Sequence, residues 1–233
     1  MKHMAVAIGW NKIDSQVWGS GGELPDCEKD AEDLAYRWRG VDIPTTVLKT
    51  KEATRARCKG ALHTAIEHMD ENGLLIVSVS GHGSDKPDTS GDEQSGRDQY
   101  ICAYDGPVTD DTIGEWFDSV TKPIKILFIC DTCRSGSMGR GIVPVRFKRD
   151  VLTRGPAQMI LMAGCSESGT SDSTGTGGRW TRSLCALSPR GKSPQLWFQA
   201  ARMLCNASAS QEPQWVEYGN VTADFRSGPL IER

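Results

Sequence analysis

Two residues of this sequence have the chemistry of a nucleophile and its base, and each follows an apolar run. His82 comes directly after "LLIVSVSG", and Cys133 follows "KILFICDT". A thiol becomes a strong nucleophile when an imidazole takes or shares its proton. If the two apolar runs are neighbouring strands, the two side chains meet beyond the strand ends. The sequence therefore predicts a thiolate–imidazole pair that can attack a carbonyl group.

The residues next to this pair suit the same chemistry. Gly81 and Gly83 flank the histidine, and glycine lets the backbone turn sharply and lets a substrate approach closely. The backbone N–H groups of Gly83 and Cys133 can donate to a developing oxyanion. We therefore expect these two amides to form the oxyanion hole.

The spacing Cys130-x-x-Cys133 allows two other interpretations, a metal site and a redox pair. A structural zinc site needs four ligands, usually with a second paired set, and His3, His63 and His68 are scattered along the chain. A thioredoxin-like pair follows an early strand and opens a helix, whereas this pair comes after mid-chain. Strand alternation places Cys130 on the opposite face from its neighbour, so we expect it in the core. A metal or redox protein stays as a third hypothesis.

The composition excludes several classes of protein. The 233 residues are 38% hydrophobic and 24% charged, with a net charge of -3, so a packed core is expected and a basic nucleic-acid-binding surface is not. No apolar run reaches the roughly 18 residues that a membrane span needs. The N-terminal segment lacks a cleavage site of the signal-peptide kind. We expect a cytoplasmic protein whose eight cysteines are reduced, with no nucleic-acid or membrane partner.

Apolar runs alternate with amphipathic stretches along the chain. This pattern is typical of a mostly parallel central sheet with helices on both faces, in a single domain over residues 1–233. Sites in such sheets form beyond the carboxyl ends of the strands. We predict strands at 4–10, 45–49, 74–81, 99–106, 122–131 and 157–165. We predict helices at 26–40, 50–73, 109–121, 180–187 and 193–207. A polar loop is predicted at 82–98, and a tail at 214–225 could close the sheet.

Several motifs, taken in order, resemble those of the caspase clan and, within it, the metacaspases. "SGHG" at 80–83 and "DTCRSG" at 131–136 are similar to the family's S-G-H-G and D-x-C-H-S-G, with Arg134 where the family usually has His. The resemblance implies a caspase-like three-layer α/β fold and a cysteine endopeptidase that cleaves after Arg or Lys. Four further segments resemble family motifs: "LPDCEKDAED" at 24–33, "VTDDTI" at 108–113, "MAGCSESGTSDS" at 162–173 and "QEPQW" at 211–215.

The resemblance also implies which residues carry out the reaction and select the substrate. His82 and Cys133 match the catalytic dyad, and no third member of a triad is evident from the sequence. Two carboxylates at the bottom of a cleft attract a guanidinium or ammonium group, so the partners are proteins or peptides with basic residues. The positions that match the acidic specificity pocket are Cys27, Asp30, Ser80 and Asp131.

Calcium activation is a further expectation from the resemblance. Many metacaspases need calcium as an activator, and Asp110 and Asp111 match two acidic ligand positions, although they also suit a helix N-terminus. The loop before them adds Asp92, Glu93 and Asp98, whereas Arg140 stands near where a further acidic ligand is expected, so calcium binding stays open.

The segment 134–154 follows the nucleophile and is rich in Arg and Lys, which are the residues that the pocket would accept. We therefore expect self-cleavage there, at Arg146, Lys148 or Arg149.

A second function from another class is a non-catalytic caspase-like scaffold that binds partners. A scaffold would be free to lose the dyad and both pocket acids, and all four are present in this chain. The sequence indicates neither the physiological substrate nor the oligomeric state.

Overall fold

A mostly parallel sheet forms the centre of the computed structural model, which describes residues 1–19, 22–87, 97–117, 120–133, 156–165, 173–206 and 211–231. The strands in the described residues are β1 Met4–Gly9, β2 Thr45–Lys49, β3 Leu74–Pro87, β4 Arg97–Ala103, β5 Gly106–Thr109, β6 Lys125–Cys133, β7 Gln158–Ala163 and β8 Gln214–Tyr218. The helices are α1 Ser15–Trp18, α2 Cys27–Arg39, α3 Arg55–His68, α4 Asp110–Phe117, α5 Arg179–Cys185, α6 Pro194–Asn206 and α7 Ala223–Ser227.

The order of the strands places the two chemically important apolar runs side by side. The sheet runs β2-β1-β3-β6-β7-β8, in which the first five strands are parallel and β8 pairs antiparallel with β7. Beyond the end of its pairing with β6, β3 continues into an antiparallel extension formed with β4 and β5. The carboxyl ends of β3 and β6 therefore meet at the centre of one edge of the sheet.

Helices cover both faces of this sheet, as the alternation of apolar runs and helices predicts. On one face, buried side chains of α3 and α4 pack on β3 and β6, including Leu62 and Trp116. On the other face, α2, α5, α6 and α7 enclose a second cluster in which the rings of Trp38 and Trp197 meet edge to face at 5.5 Å. In the described part of the chain, no helix has the length and apolar character needed to span a membrane.

Several elements differ from their predicted bounds. The strand predicted at 99–106 is wrong as a single strand, because the chain turns after Ala103 and β4 and β5 pair antiparallel. Two further differences have a local reason. The helix predicted at 50–73 begins only at Arg55, because Thr54 caps it with a side chain that accepts from the N–H of Arg57, and a short 3-10 turn precedes it. The polar loop predicted at 82–98 is shorter, since Gly83–Pro87 pairs with residues 97–101 of β4. The sequence concealed this pairing because residues 84–87 and 97–99, which form most of it, are polar or proline.

Helix α2 packs closely against the end of β1 at Gly9. A methyl group at this position would overlap the carbonyl oxygen of Cys27 and lie 2.8 Å from the Cα of Glu28. Gly9 also pairs in register with Ser80 of β3. The absence of a side chain at Gly9 therefore sets how near the start of α2 comes to the functional edge of the sheet.

We expect Gly9→Ala to lower the free energy of unfolding by about 1–3 kcal/mol, because backbone atoms of α2 must move to admit the methyl group. Chemical denaturation followed by circular dichroism measures the change. The matched control is Gly60→Ala on α3, where nothing lies within 4 Å of the added methyl group. That change should raise stability by roughly 0.5–1 kcal/mol. Equal effects of the two substitutions would contradict the close contact at Gly9.

Candidate active site

The parallel pairing of β3 with β6 brings the predicted site residues together in two pairs, two positions apart in the register. Ser80 lies opposite Asp131 in the register, and His82 lies opposite Cys133. Neighbouring strands are about 4.8 Å apart, so the backbones of the predicted base and nucleophile are adjacent. Cys133 is the last residue of β6, and its side chain lies outside the described part of the structure.

The imidazole of His82 is largely buried and has a defined partner. Its side chain is 5% exposed, and its Nε2 lies 3.2 Å from the carbonyl oxygen of Gly22. Because a carbonyl can only accept, Nε2 must carry the hydrogen, which leaves Nδ1 with the lone pair. Burial lowers the pKa of His82 from its ordinary value, and the bond to Gly22 opposes this effect. Burial therefore favours the neutral form of the ring.

Two buried carboxylates lie beside this pair. Asp30 of α2 and Asp131 of β6 are each 1% exposed. The Ser80 hydroxyl donates to Oδ2 of Asp30 at 2.7 Å, and the backbone N–H of Gly178 donates to both oxygens of the same carboxylate at 2.9 and 3.1 Å. Thr181 donates to Oδ2 of Asp131 through its N–H and its hydroxyl, each at 2.9 Å. The start of α5 therefore supplies donors to both acids.

The electrostatics of the pair follow from burial and mutual repulsion. Burial and then the charge of Asp131 raise the pKa of Asp30 to about 7. The hydrogen bonds from Ser80 and Gly178 lower this pKa, but by less. Burial likewise raises the pKa of the Cys27 thiol to about 12, so this residue stays uncharged. An entering cation would favour ionisation of both carboxylates. The arrangement can thus hold a positively charged group.

Three residues of this site were not predicted from the sequence: Gly22, Gly178 and Thr181. Gly22 acts through its backbone carbonyl, for which no sequence signal exists. Gly178 packs between the two carboxylates, since an added methyl group would overlap Oδ2 of Asp131 and lie 2.9 Å from Oδ2 of Asp30. The Gly-Gly pair just before α5 is a signal of close approach that could have revealed it.

The remaining predicted residues are less fully described. Gly83 is the first residue of β3 paired with β4, opposite Ile101, and its role in an oxyanion hole stays a prediction. The calcium prediction depends on Asp110 and Asp111, whose backbone begins α4 but whose side chains lie outside the described residues. Among the described side chains, no group of three or more His, Cys, Asp or Glu could hold a metal ion. Cys130 is buried in the core.

The raised pKa of Asp30 predicts a pH-dependent effect of Asp30→Asn on stability. The folded state retains a proton that the unfolded state releases above about pH 4, so the wild type loses stability as the pH rises from about 4 to about 7. The Asn side chain cannot lose a proton, so the stability of the variant does not fall in this way as the pH rises. We expect the stability of the variant relative to the wild type to increase between pH 5 and pH 8, by on the order of a few kcal/mol.

Denaturant unfolding at a series of pH values measures this difference. The control is Asp33→Asn, which changes an acid on the exposed side of the same helix, where it pairs with Lys29. A difference between Asp30→Asn and wild type that stays constant with pH would contradict the raised pKa.

A solved structure shares the fold of this chain. The crystal structure of a protein from Geobacter sulfurreducens superposes with a TM-score of 0.81, covering 100% of this chain and 99% of the other at 24% sequence identity. The fold is the expected mixed α/β fold, with a mostly parallel sheet and helices on both faces.

Sequence relatives identify the family. Metacaspase-1 of Pyricularia oryzae is 30% identical over 154 residues, which is 58% of this chain and 37% of the relative. Metacaspase-1 of Cryptococcus neoformans is 29% identical over 157 residues, which is 58% of this chain and 32% of the relative. The matched regions thus span about a third of the length of these relatives. The sequence profile of the caspase domain matches residues 2–220, and the chain therefore belongs to the caspase domain family.

Proposed function

We propose that this protein is a cysteine endopeptidase that cleaves protein or peptide substrates after Arg or Lys, with Cys133 as nucleophile and His82 as base. The observation that carries the proposal is the register of the parallel pairing between β3 and β6. In this register His82 lies opposite Cys133, and Ser80, two residues earlier, lies opposite Asp131. Membership of the caspase domain family supports the peptidase class.

The mechanism uses the neutral imidazole held by Gly22. Nδ1 of His82 takes the proton of Cys133, and the thiolate attacks the carbonyl carbon of the scissile bond. The oxyanion accepts from the N–H groups of Gly83 and Cys133. His82 then gives its proton to the leaving amine, and a thioester forms as the C–N bond breaks. Water, deprotonated by His82, hydrolyses the thioester and regenerates the thiol.

The acid pair gives the specificity. A guanidinium carries five N–H donors in a planar fork, and two carboxylates offer several acceptor positions. Asp30 and Asp131 already accept from Ser80, Gly178 and Thr181, so they are held in place before the substrate arrives. Because Asp30 holds its proton up to about pH 7, binding of a basic side chain should release a proton.

Fluorogenic peptides ending in Arg, Lys or Asp test the proposal. We expect cleavage after Arg and Lys and none after Asp, with Cys133→Ala lowering kcat at least a hundredfold because the nucleophile is lost. The matched control is Cys130→Ala, which removes a buried thiol three residues away and should keep activity. Asp131→Asn should raise KM for Arg peptides because one carboxylate charge is lost.

Parallel assays with and without calcium test the calcium prediction. Activation by calcium that disappears in a variant with Asp110→Asn and Asp111→Asn would support a site there. Absence of cleavage under every condition, in a folded wild-type protein, would contradict the proposal and favour the scaffold.

Self-cleavage within residues 134–154 is a further part of the proposal. That segment lies outside the described residues, and the support is its content of basic residues directly after the nucleophile. Intact-mass and peptide mass spectrometry of the purified wild type should show cuts after Arg146, Lys148 or Arg149. The same cuts in Cys133→Ala would point to a contaminating protease, and an uncut wild type that is active on peptides would contradict self-cleavage.

A further inference from the structure

The carbonyl that bonds His82 belongs to the loop between β1 and α2, residues 11–24, of which 11–19, including α1, and 22–24 are described. The two ends of this loop are joined to each other. The N–H of Leu24 donates to the carbonyl of Asn11 at 2.8 Å, and Lys12 pairs with Glu23 at 2.5 Å. Within this loop, Gly22 lies near the joined ends, 3.2 Å from Nε2 of His82. The loop connects β1 to α2, which is the helix that carries Asp30.

The far end of the loop is attached to a different element by Trp18. Its indole Nε1–H donates to the carbonyl of Ala103 at 3.1 Å, and its ring stacks on Tyr100 with the ring centres 6.0 Å apart and the planes at 21°. The N–H of Asp14 also donates to the carbonyl of Tyr104 at 3.0 Å. Three contacts therefore fix the loop to β4 and to the residue after it.

Strand β4, on which Trp18 docks, pairs with β3 close to His82. Tyr100 pairs in register with Ser84, two residues after His82 on β3. One short stretch of β3 thus carries the base and also the pairing partner of the residue on which Trp18 stacks. Gly22, four residues after Trp18, meets the imidazole of His82.

We propose that Trp18 is a positioning residue, which docks the loop 11–24 on β4 and thereby holds the Gly22 carbonyl against Nε2 of His82. The inference rests on the proposed function, in which His82 is the base. A neutral imidazole exchanges between two tautomers unless a hydrogen bond selects one. The Gly22 carbonyl selects the Nε2–H form, which leaves Nδ1 basic. That selection requires the loop to stay in place, and Trp18 supplies two of its contacts with β4.

The 15N chemical shifts of the His82 ring nitrogens, measured at pH 8, report the tautomer without any need for activity. The His82→Ala spectrum assigns the signals among the four histidines. We expect the Nε2–H form in the wild type and shifts toward a mixture of tautomers in Trp18→Ala. Trp18→Phe keeps a ring for stacking and loses the N–H donor, so its shifts should lie between the two.

A matched control comes from Trp215 on β8. Its ring meets Phe198 edge to face at 5.4 Å, and its Nε1–H donates to Oε1 of Glu217 at 2.9 Å. Trp215→Ala therefore removes a similar ring contact and a similar hydrogen bond, three strands away from β3. It should leave the His82 signals unchanged.

Peptide hydrolysis supplies the second readout. We expect Trp18→Ala to lower kcat about ten- to a hundredfold while KM changes less than about threefold, because the base is misoriented and the acid pair is untouched. Unchanged ring shifts in Trp18→Ala, or equal changes in Trp215→Ala, would overturn the proposal. If Trp18→Ala does not fold, Trp18→Phe decides by the same two criteria. A wild type with the Nε2–H tautomer but no peptidase activity would refute the proposed function alone.

Discussion

The register between β3 and β6 is the constraint on which the rest of this site depends. Successive side chains of a strand point to opposite faces, so a slip of one residue would move every chemical group to the wrong side. The buried side chains prevent such a slip. Val77 and Val79 belong to one core cluster, whereas Leu74 and Ile76 belong to the other. Apolar packing on both faces thus fixes the pairing of Ser80 with Asp131 and of His82 with Cys133.

A buried pair of acids is costly, and the fold offsets this cost with backbone donors. The donors come from the start of α5 and from Ser80, and they require the chain to pass between the carboxylates at Gly178. Burial, and then the repulsion from the charge of Asp131, raise the pKa of Asp30. A cationic substrate group would relieve that repulsion. The proposed preference for a basic residue therefore rests on the same repulsion between the two acids.

Much of the fold could be predicted from the sequence because its strands are continuous apolar runs. The positions of His82 and Cys133, just after the apolar runs 74–81 and 122–131, followed from the same runs. The extension of β3 to Pro87 could not be predicted, since its stability comes from pairing with β4 and not from apolar residues.

At the site, side chains with distinctive chemistry were identifiable, including Asp30 and Asp131. Groups that act through the backbone were not. Gly22 contributes a carbonyl and Gly178 an N–H, and neither is encoded by a side chain. Thr181 was missed because a threonine inside a predicted helix has no distinguishing pattern. The interaction partner of a backbone group depends on tertiary packing, which short-range sequence patterns do not specify.

The most direct test of the central claim is covalent labelling with a peptidyl chloromethyl ketone that ends in Arg. Such a reagent combines the basic group that the acid pair should bind with a carbon that the nucleophile should alkylate. Of the eight cysteines, we expect a single labelled residue, Cys133, in peptide mass spectrometry. The same reagent ending in Asp should not label the protein. Labelling at another cysteine, or equal labelling by both reagents, would contradict the account.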